Sequence, residues 1–156
     1  MNLWKRLVVL LRQLNPSRPE VQFQVVNLTR GTIVATRMAV ADTAKTRNKG
    51  LLNRESLSAG EGLWIVPCQA IHMFFMRFPI DLVYIDGKRR VRKVRSRVAP
   101  WRISVCLSAH SVLELPAGVV RNTMTVRGDT LEISPVSVSQ SRPLSQTENT
   151  LGDPAP

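Results

Sequence analysis

Short blocks of apolar residues, alternating with polar ones or rich in β-branched and aromatic types, fill the chain from residue 21 to residue 134. Glycine and proline separate these blocks, and this arrangement is typical of strands joined by turns. It predicts strands near 21–28, 32–39, 62–66, 71–76, 80–86, 90–98, 111–115 and 130–133. A short helix is expected from Asp42 or Thr43 to Gly50, and a helical turn after Ala117. The predicted fold is mainly β: a compact antiparallel barrel or sandwich with one or two short helices.

The two ends of the 156-residue chain differ in composition from this central part. Residues 1–20 hold a basic amphipathic stretch in which leucines recur at helical spacing, so a helix and a linker are predicted there. Residues 135–156 are rich in serine and proline and are predicted to be a disordered tail. The chain therefore has one predicted domain, the β-rich part at 21–134.

The apolar run in the N-terminal stretch is too short for a secretion signal or a membrane span. Leu7 to Leu11 are five residues between two arginines, whereas a signal core needs about 7–15 and a span about 20. No transmembrane segment is predicted, and a cytoplasmic protein is expected. The predicted helix has two alternative roles: it packs on the protein's own core, or it makes a peripheral contact with an anionic membrane surface.

Basic residues exceed acidic ones twofold. The chain has 22 lysines and arginines against 11 aspartates and glutamates, a formal charge of +11. Eight of the basic residues fall between Lys88 and Arg102, where an extended chain would place alternate cations on one side and Val94 and Val98 on the other. The candidate anion-binding residues of this basic ribbon are Arg90, Arg92, Lys93, Arg95 and Arg97.

The basic ribbon has three interpretations. In the first, it contacts nucleic-acid phosphates and Trp101 stacks on an exposed base. In the second, it binds an acidic protein or a lipid surface. In the third, it is a solvated edge strand whose charges discourage aggregation between sheets. The sequence lacks the aromatic runs and glycine loops of common RNA-binding domains, which favours the edge strand over nucleic acid.

Two acidic residues interrupt apolar strand patterns. Asp81 shares a strand face with Val83 and Ile85, and Glu114 lies within the run Val-Leu-Glu-Leu-Pro. Because an isolated buried charge is costly, each acid requires a partner, for which arginine is the abundant candidate, or an exposed polar pocket.

Aromatic, apolar and directional polar residues near these acids have the composition of a small-molecule site. The residues predicted to bind a ligand are His72, Met76, Arg77, Asp81, Trp101, Arg102, Glu114 and Arg54. Their expected ligand is small and polar, such as a sugar, and no cofactor is expected. The preferred interpretation is a non-catalytic binding module; the alternative is that the aromatic residues only fill the core.

An enzyme is the alternative function. Asp81 and Glu114 would then form an acid–base pair, with His72 moving protons near neutral pH. The sequence shows neither a Gly-x-Ser-x-Gly elbow nor a phosphate-binding glycine loop. These absences favour binding over catalysis.

Cysteine and histidine occur in two matched pairs, the ligand types of a zinc site. Cys68 precedes His72 by four residues, and Cys106 precedes His110 by the same interval. Residues four apart on a strand lie about 13 Å from each other, too far to share an ion. No metal site is therefore predicted. If the protein did bind zinc, these four residues would be its ligands. Both thiols are expected to be reduced.

Four ordered motifs give the chain a resemblance to a known family. The segments that carry the resemblance are ADTAKTRNKGLLNRESLSAGEGLWIV, IHMFFMRFPIDLVYIDG, PWR, VLELPAG and RGD, over about residues 33–133. The sequence resembles the domain of unknown function 192 family of bacteria and archaea. The positions that match its pattern are Thr43, Gly50, Leu51, Arg54, Gly62, Met76, Pro79, Asp81, Glu114, Gly118 and Asp129.

This resemblance implies a related fold and a shared site more than a reaction, because the family has no established activity. Asp81 and Arg54 both lie in its motifs, so an ion pair between them is predicted. Leu52 stands where the pattern usually has methionine, which implies a different aliphatic wall at the site.

Overall fold

The fold is mainly β, as predicted. A computed structural model of the chain describes residues 21–136. These residues form β1 (Gln22–Asn27), β2 (Thr32–Ala41), α1 (Ala44–Lys49), β3 (Glu61–Ile65), β4 (Ala70–His72), β5 (Ile80–Ile85), β6 (Val91–Val98), β7 (Ile103–Val105), β8 (Ser111–Pro116), α2 (Val119–Asn122) and β9 (Leu131–Val136). The predicted N-terminal helix and most of the predicted tail lie outside the described residues.

The helix predicted after Asp42 is confirmed as α1. Thr43 caps its N-terminus: the Thr46 N–H donates to the Thr43 hydroxyl, and the Thr43 N–H donates to the Thr46 hydroxyl, both at 3.1 Å. Gly50 ends the helix with a positive φ of 48°. Neither of the two helices in the described part of the chain is long and apolar enough to cross a membrane.

Seven strands form one mixed sheet in the order β6–β5–β8–β3–β2–β1–β9. Neighbouring strands are antiparallel, except for β2 and β3, which are parallel and are connected through α1. Within residues 21–136 the sheet does not close into a barrel. A bridge between Arg90 and Thr130 nevertheless joins the chain just before β6 to the chain just before β9. The sheet thus folds over on itself in a sandwich-like arrangement.

Apolar side chains pack on both faces of this sheet. Along β3, Trp64 faces one side, while Leu63 and Ile65 face the other. The first core, enclosed by the folded sheet, includes Phe23, Val25, Met38, Trp64, Val83, Ile85, Leu113, Leu115, Val120, Leu131 and Ile133. The second core includes Leu51, Leu63, Ile65, Ile71, Met73, Met76, Ile80, Leu82, Tyr84, Val98 and Val112. Residues of β4 and of the turn after α1 cover this second core.

The prediction of a central strand at 71–76 is wrong. The strand β4 spans only Ala70–His72 and pairs with β7, which the sequence did not predict, in a separate two-stranded sheet. The strand ends at His72 and a turn follows, in which the Met76 N–H donates to the Met73 carbonyl at 3.3 Å and Phe75 has a φ of +63°. Pro79 then precedes the new strand β5, so the apolar run is divided between two sheets.

The prediction that Val94 and Val98 share one side of β6 is also wrong. The strand β6 lies at the edge of the sheet, as the edge-strand interpretation of the basic ribbon predicts. Its register with β5, however, shifts along the strand. Leu82 pairs with Arg95 and Ile80 pairs with Val98, so β6 holds one extra residue between these pairs. Val94 consequently packs against the first core and Val98 against the second.

Candidate functional site

Asp81, on β5, is fully buried and hydrogen-bonded within the protein. Its Oδ1 accepts from the Ser96 hydroxyl at 3.1 Å and from the Arg97 N–H at 2.7 Å. Its Oδ2 accepts from the N–H groups of Gly118 at 3.0 Å and Val120 at 2.8 Å. Asp81 therefore connects the irregular part of β6 to the start of α2. This placement corrects the prediction that Asp81 faces a ligand.

The predicted ion pair between Asp81 and Arg54 is wrong. The guanidinium of Arg54 lies 3.8 Å from Glu61, and Arg37 lies at the same distance from the other oxygen of that carboxylate. The two arginine side chains are about half exposed. In residues 21–136 no arginine side chain forms an ion pair with Asp81; main-chain N–H groups, one of them from Arg97, and the Ser96 hydroxyl bind its oxygens instead.

Glu114 is the buried acid that lacks such partners. Glu114 lies on the central strand β8, between Leu63 of β3 and Leu82 of β5. Only 5% of its surface is exposed to solvent. Its Oε2 is buried and has no hydrogen-bond partner in the described part of the chain. Burial among apolar neighbours raises the pKa of Glu114 to about 8, since desolvation disfavours the charged form.

Glu114 lines a cavity of about 230 Å³ above the second core. The buried residues of its wall are Leu51, Ile65, Ile71, Met76 and Glu114. The more exposed residues, which form the mouth, are Arg47, Asn48, Lys49, Gly50, Leu52, Pro67, Cys68, Ala70 and His72. The cavity therefore joins an apolar interior with one carboxyl group to a polar, basic opening.

The structure brings together three of the eight predicted ligand-binding residues: His72, Met76 and Glu114. Asp81 lies on the other face of the sheet, so the predicted acid–base pair with Glu114 does not form. Arg77 and Arg102 do not line the cavity; Arg77 instead lies 3.4 Å from Glu55. Arg47, Asn48 and Lys49 of α1 line the mouth, but the sequence did not predict them as site residues. The one sequence feature that could have indicated them is the position of α1 just before the family motif at Gly50 and Leu51.

A row of aromatic rings runs from the cavity mouth onto the outer surface. The ring of His72 stacks on Phe74, with 5.3 Å between centroids. Trp101 lies 5.9 Å from Phe74 and 5.1 Å from Phe75. The predicted site residues His72 and Trp101 are thus connected through Phe74, although only His72 lines the cavity.

The alternative zinc ligands do not converge. In the described residues, no group of three or more histidine, cysteine and acidic side chains is placed to hold a metal ion. The Cys68 thiol donates to the Ala70 carbonyl at 3.2 Å, and the Cys106 thiol lies 3.5 Å from the Ser108 hydroxyl. Burial raises the pKa of Cys68, which keeps the thiol protonated at neutral pH.

The basic ribbon is not a single continuous face. Arg92 lies 3.9 Å from Asp86, and the Lys93 ammonium donates to the Val105 carbonyl at 2.7 Å. The three remaining candidates are exposed: Arg90, Arg95 and Arg97. The register of β6 with β5 shifts twice, and each shift inserts one extra residue into β6. The regular alternation of side chains is therefore interrupted, and these positions do not form one face.

Comparison with known proteins identifies relatives of this chain. A UPF0127 protein of Thermococcus sibiricus is 31% identical over 114 residues, which cover 69% of this chain and 73% of the relative. A second UPF0127 protein, from Thermococcus kodakarensis, is 27% identical over 117 residues, 71% of this chain and 73% of the relative.

Solved structures share the fold. A protein of unknown function from Novosphingobium aromaticivorans has a TM-score of 0.63 and 22% identity, over 72% of this chain and 84% of that chain. A protein from Sinorhizobium meliloti has a TM-score of 0.64 and 21% identity, over 72% of this chain and 92% of that one. The model of the DUF192 family, described as "Uncharacterized ACR", matches residues 25–133. This chain therefore belongs to the DUF192 family, as its motifs suggested.

Proposed function

We propose that this protein is a non-catalytic module that binds a small polyhydroxylated ligand, the size of one sugar unit, in the cavity around Glu114. The observation that carries the proposal is the Oε2 atom of Glu114, which is buried without a hydrogen-bond partner in the described structure. An unpaired buried polar atom destabilises a fold by about 1–3 kcal/mol. A ligand hydroxyl in the cavity would remove that cost.

The protonation state of Glu114 suits a neutral, hydroxylated ligand. With a pKa of about 8, the carboxyl group is mostly protonated at pH 7. It then offers one O–H donor besides acceptor oxygens. A hydroxyl group also donates and accepts, so the two can pair in both directions, whereas a cation would find no full negative charge.

The size and the mouth of the cavity also support a single sugar unit. Its volume of about 230 Å³ is below the roughly 300–1,000 Å³ of pockets for drug-sized ligands. Asn48 and Lys49, whose side chains carry hydrogen-bond donors, line the opening, while the Arg47 Nη1 beside them donates to the carbonyls of Asp42 and Val66. His72 adds a flat ring, on which the C–H face of a sugar ring could pack.

Substitutions at Glu114 test this proposal. Titrating the protein with glucose, galactose, mannose and N-acetylglucosamine, followed by NMR at pH 6.5, should give saturable shifts for at least one sugar. Glu114→Gln keeps a donor and an acceptor and should retain affinity within about threefold, whereas Glu114→Met should weaken binding by at least about tenfold. Glu132→Gln, an exposed change on β9, is the control. The proposal fails if no sugar binds or if Glu114→Met binds as well as the parent.

A further inference from the structure

An apolar patch covers the outer face of the β4–β7 sheet and the loops beside it. Ile103 pairs with His72 and Val105 pairs with Ala70, and all four residues are exposed. The large apolar residues of the patch are Phe75, Trp101, Ile103, Val105 and Leu107, each between 42% and 78% exposed. The patch is thus built from consecutive outward positions of β7 and from two aromatic residues at the end of the sheet.

The two aromatic residues are held in place by strained backbone. Phe75 and Trp101 both have φ of +63°, a conformation that bulky residues rarely adopt. The Trp101 N–H donates to the Met73 carbonyl at 2.9 Å, and the Met73 N–H donates to the Arg102 carbonyl at 2.7 Å. These bonds join the loop that carries Phe75 to the loop that carries Trp101. Strain of this kind, maintained by surrounding structure, is typical of functional sites.

Positive charges lie beside the patch. Arg77 follows Phe75 by two residues. Lys93 donates to the carbonyl of Val105, and Arg102 is exposed next to Trp101. One acidic neighbour comes from another segment: Glu55, 3.4 Å from Arg77. An anionic surface would therefore complement this face.

We propose that the apolar patch inserts into the headgroup layer of an anionic phospholipid bilayer, while Arg102, Lys93 and neighbouring arginines contact lipid phosphates. Tryptophan suits the boundary between headgroups and acyl chains, because its ring is apolar and its N–H is polar. Ile103, Val105 and Leu107 gain from leaving water at that boundary. Stacking on nucleic-acid bases would use the two aromatic rings but would leave these aliphatic side chains exposed, which favours the bilayer.

Vesicle co-sedimentation of the full chain tests this proposal. The parent should bind vesicles of phosphatidylcholine containing about one-third phosphatidylglycerol much more strongly than vesicles of phosphatidylcholine alone, and added salt should weaken the binding. The triple variant Phe75→Ser, Trp101→Ser, Leu107→Ser should lose at least about tenfold in vesicle affinity. The N-terminal basic stretch is kept in every variant, so the difference reports on the patch.

The control variant removes three exposed apolar side chains that lie outside the patch. Leu28, Ile33 and Met124 are 55–59% exposed, and their triple change to serine should leave vesicle binding unchanged. Thermal melting of both triple variants confirms that they are folded. Three results would overturn the proposal: no binding by the parent, full binding by the patch variant, or binding of a single-stranded oligonucleotide that depends on the patch while vesicle binding does not.

Discussion

Asp81 and Glu114 lie one register position apart on neighbouring strands and face opposite sides of the sheet. Glu114 of β8 is directly opposite Leu82 of β5, and Asp81 is opposite Leu115. Since successive side chains alternate across a sheet, Asp81 faces the first core and Glu114 faces the second. The two acids therefore have separate roles: one holds the fold together, and the other faces a cavity.

Replacing Asp81 with asparagine should lower the free energy of unfolding by about 2–4 kcal/mol, because the amide nitrogen would meet N–H donors. Arg54→Ala should change it by less than about 1 kcal/mol, since the Arg54–Glu61 pair is exposed. Urea unfolding of both variants measures the difference. Equal losses in the two variants would contradict this assignment and support the ion pair predicted from the sequence.

Glu114 should make the protein less stable as pH rises. Its unfolded pKa is about 4.3, and burial raises its folded pKa to about 8. Between these values the folded state binds a proton that the unfolded state lacks. Stability should therefore fall with pH by up to about 1.4 kcal/mol per unit, and this effect should level off above about pH 8.

Urea unfolding of the parent and Glu114→Gln from pH 5 to pH 9 measures this effect. The glutamine cannot ionise, so the stability difference should grow in favour of the variant as pH increases. Parallel pH profiles for the two proteins would show that the carboxyl group of Glu114 is not desolvated.

Asp129 should have the opposite pH dependence. Burial acts to raise the pKa of Asp129, but hydrogen bonds from Asn27, the Val126 N–H and Arg30 outweigh it and hold the pKa below its usual value. The resulting stabilisation is present above the unfolded pKa of about 3.9 and is lost as pH falls through the lower folded value. Between about pH 5 and lower pH, the free energy of unfolding should therefore decrease less in Asp129→Asn than in the parent. Glu132→Gln should reduce this decrease by a smaller amount.

Gly62 should not tolerate a side chain. A Cβ atom there would lie 2.8 Å from the Met38 Sδ and Cε atoms and 2.9 Å from the Glu114 carbonyl oxygen. Gly62→Ala should cost about 1–3 kcal/mol of stability through overpacking. Gly87→Ala is the matched control, because no atom lies within 4 Å of its added Cβ. Equal melting temperatures for the two variants would show that β3 and β8 can separate to admit the methyl group.

Alternation within a single strand could be predicted from the sequence, whereas the pairing between strands could not. The pattern correctly placed Asp81 with Val83 and Ile85 on one face. The relation of Asp81 to Glu114 depends on the register of β5 with β8, and a shift of one residue reverses every face. For this reason, the sequence alone does not determine whether the two acids converge, and the prediction that they do is wrong.

The other errors have similarly local causes. The apolar alternation over 71–76 predicts one strand, but β4 ends at His72 and a turn from Met73 to Met76 follows, with a positive φ at Phe75. The extra residue in β6 separates Val94 from Val98, and the Arg97 N–H at this irregularity donates to Asp81. Local sequence pattern does not predict the cavity mouth, because the residues of α1 that line it meet β3, β4 and β8 only in the folded chain.

An NMR titration of the parent and Glu114→Met with the four monosaccharides at pH 6.5 tests whether the cavity at Glu114 binds a sugar. Saturable shifts are expected in the parent, concentrated at the cavity residues around Asn48, Ile71 and His72, and they should be lost in the variant. Repeating the titration of the parent above pH 8 should weaken binding, because the Glu114 carboxyl group then loses the proton it donates. Saturable shifts that remain unchanged in Glu114→Met, or no shift with any of the four sugars, would contradict the proposal that the cavity at Glu114 binds a sugar.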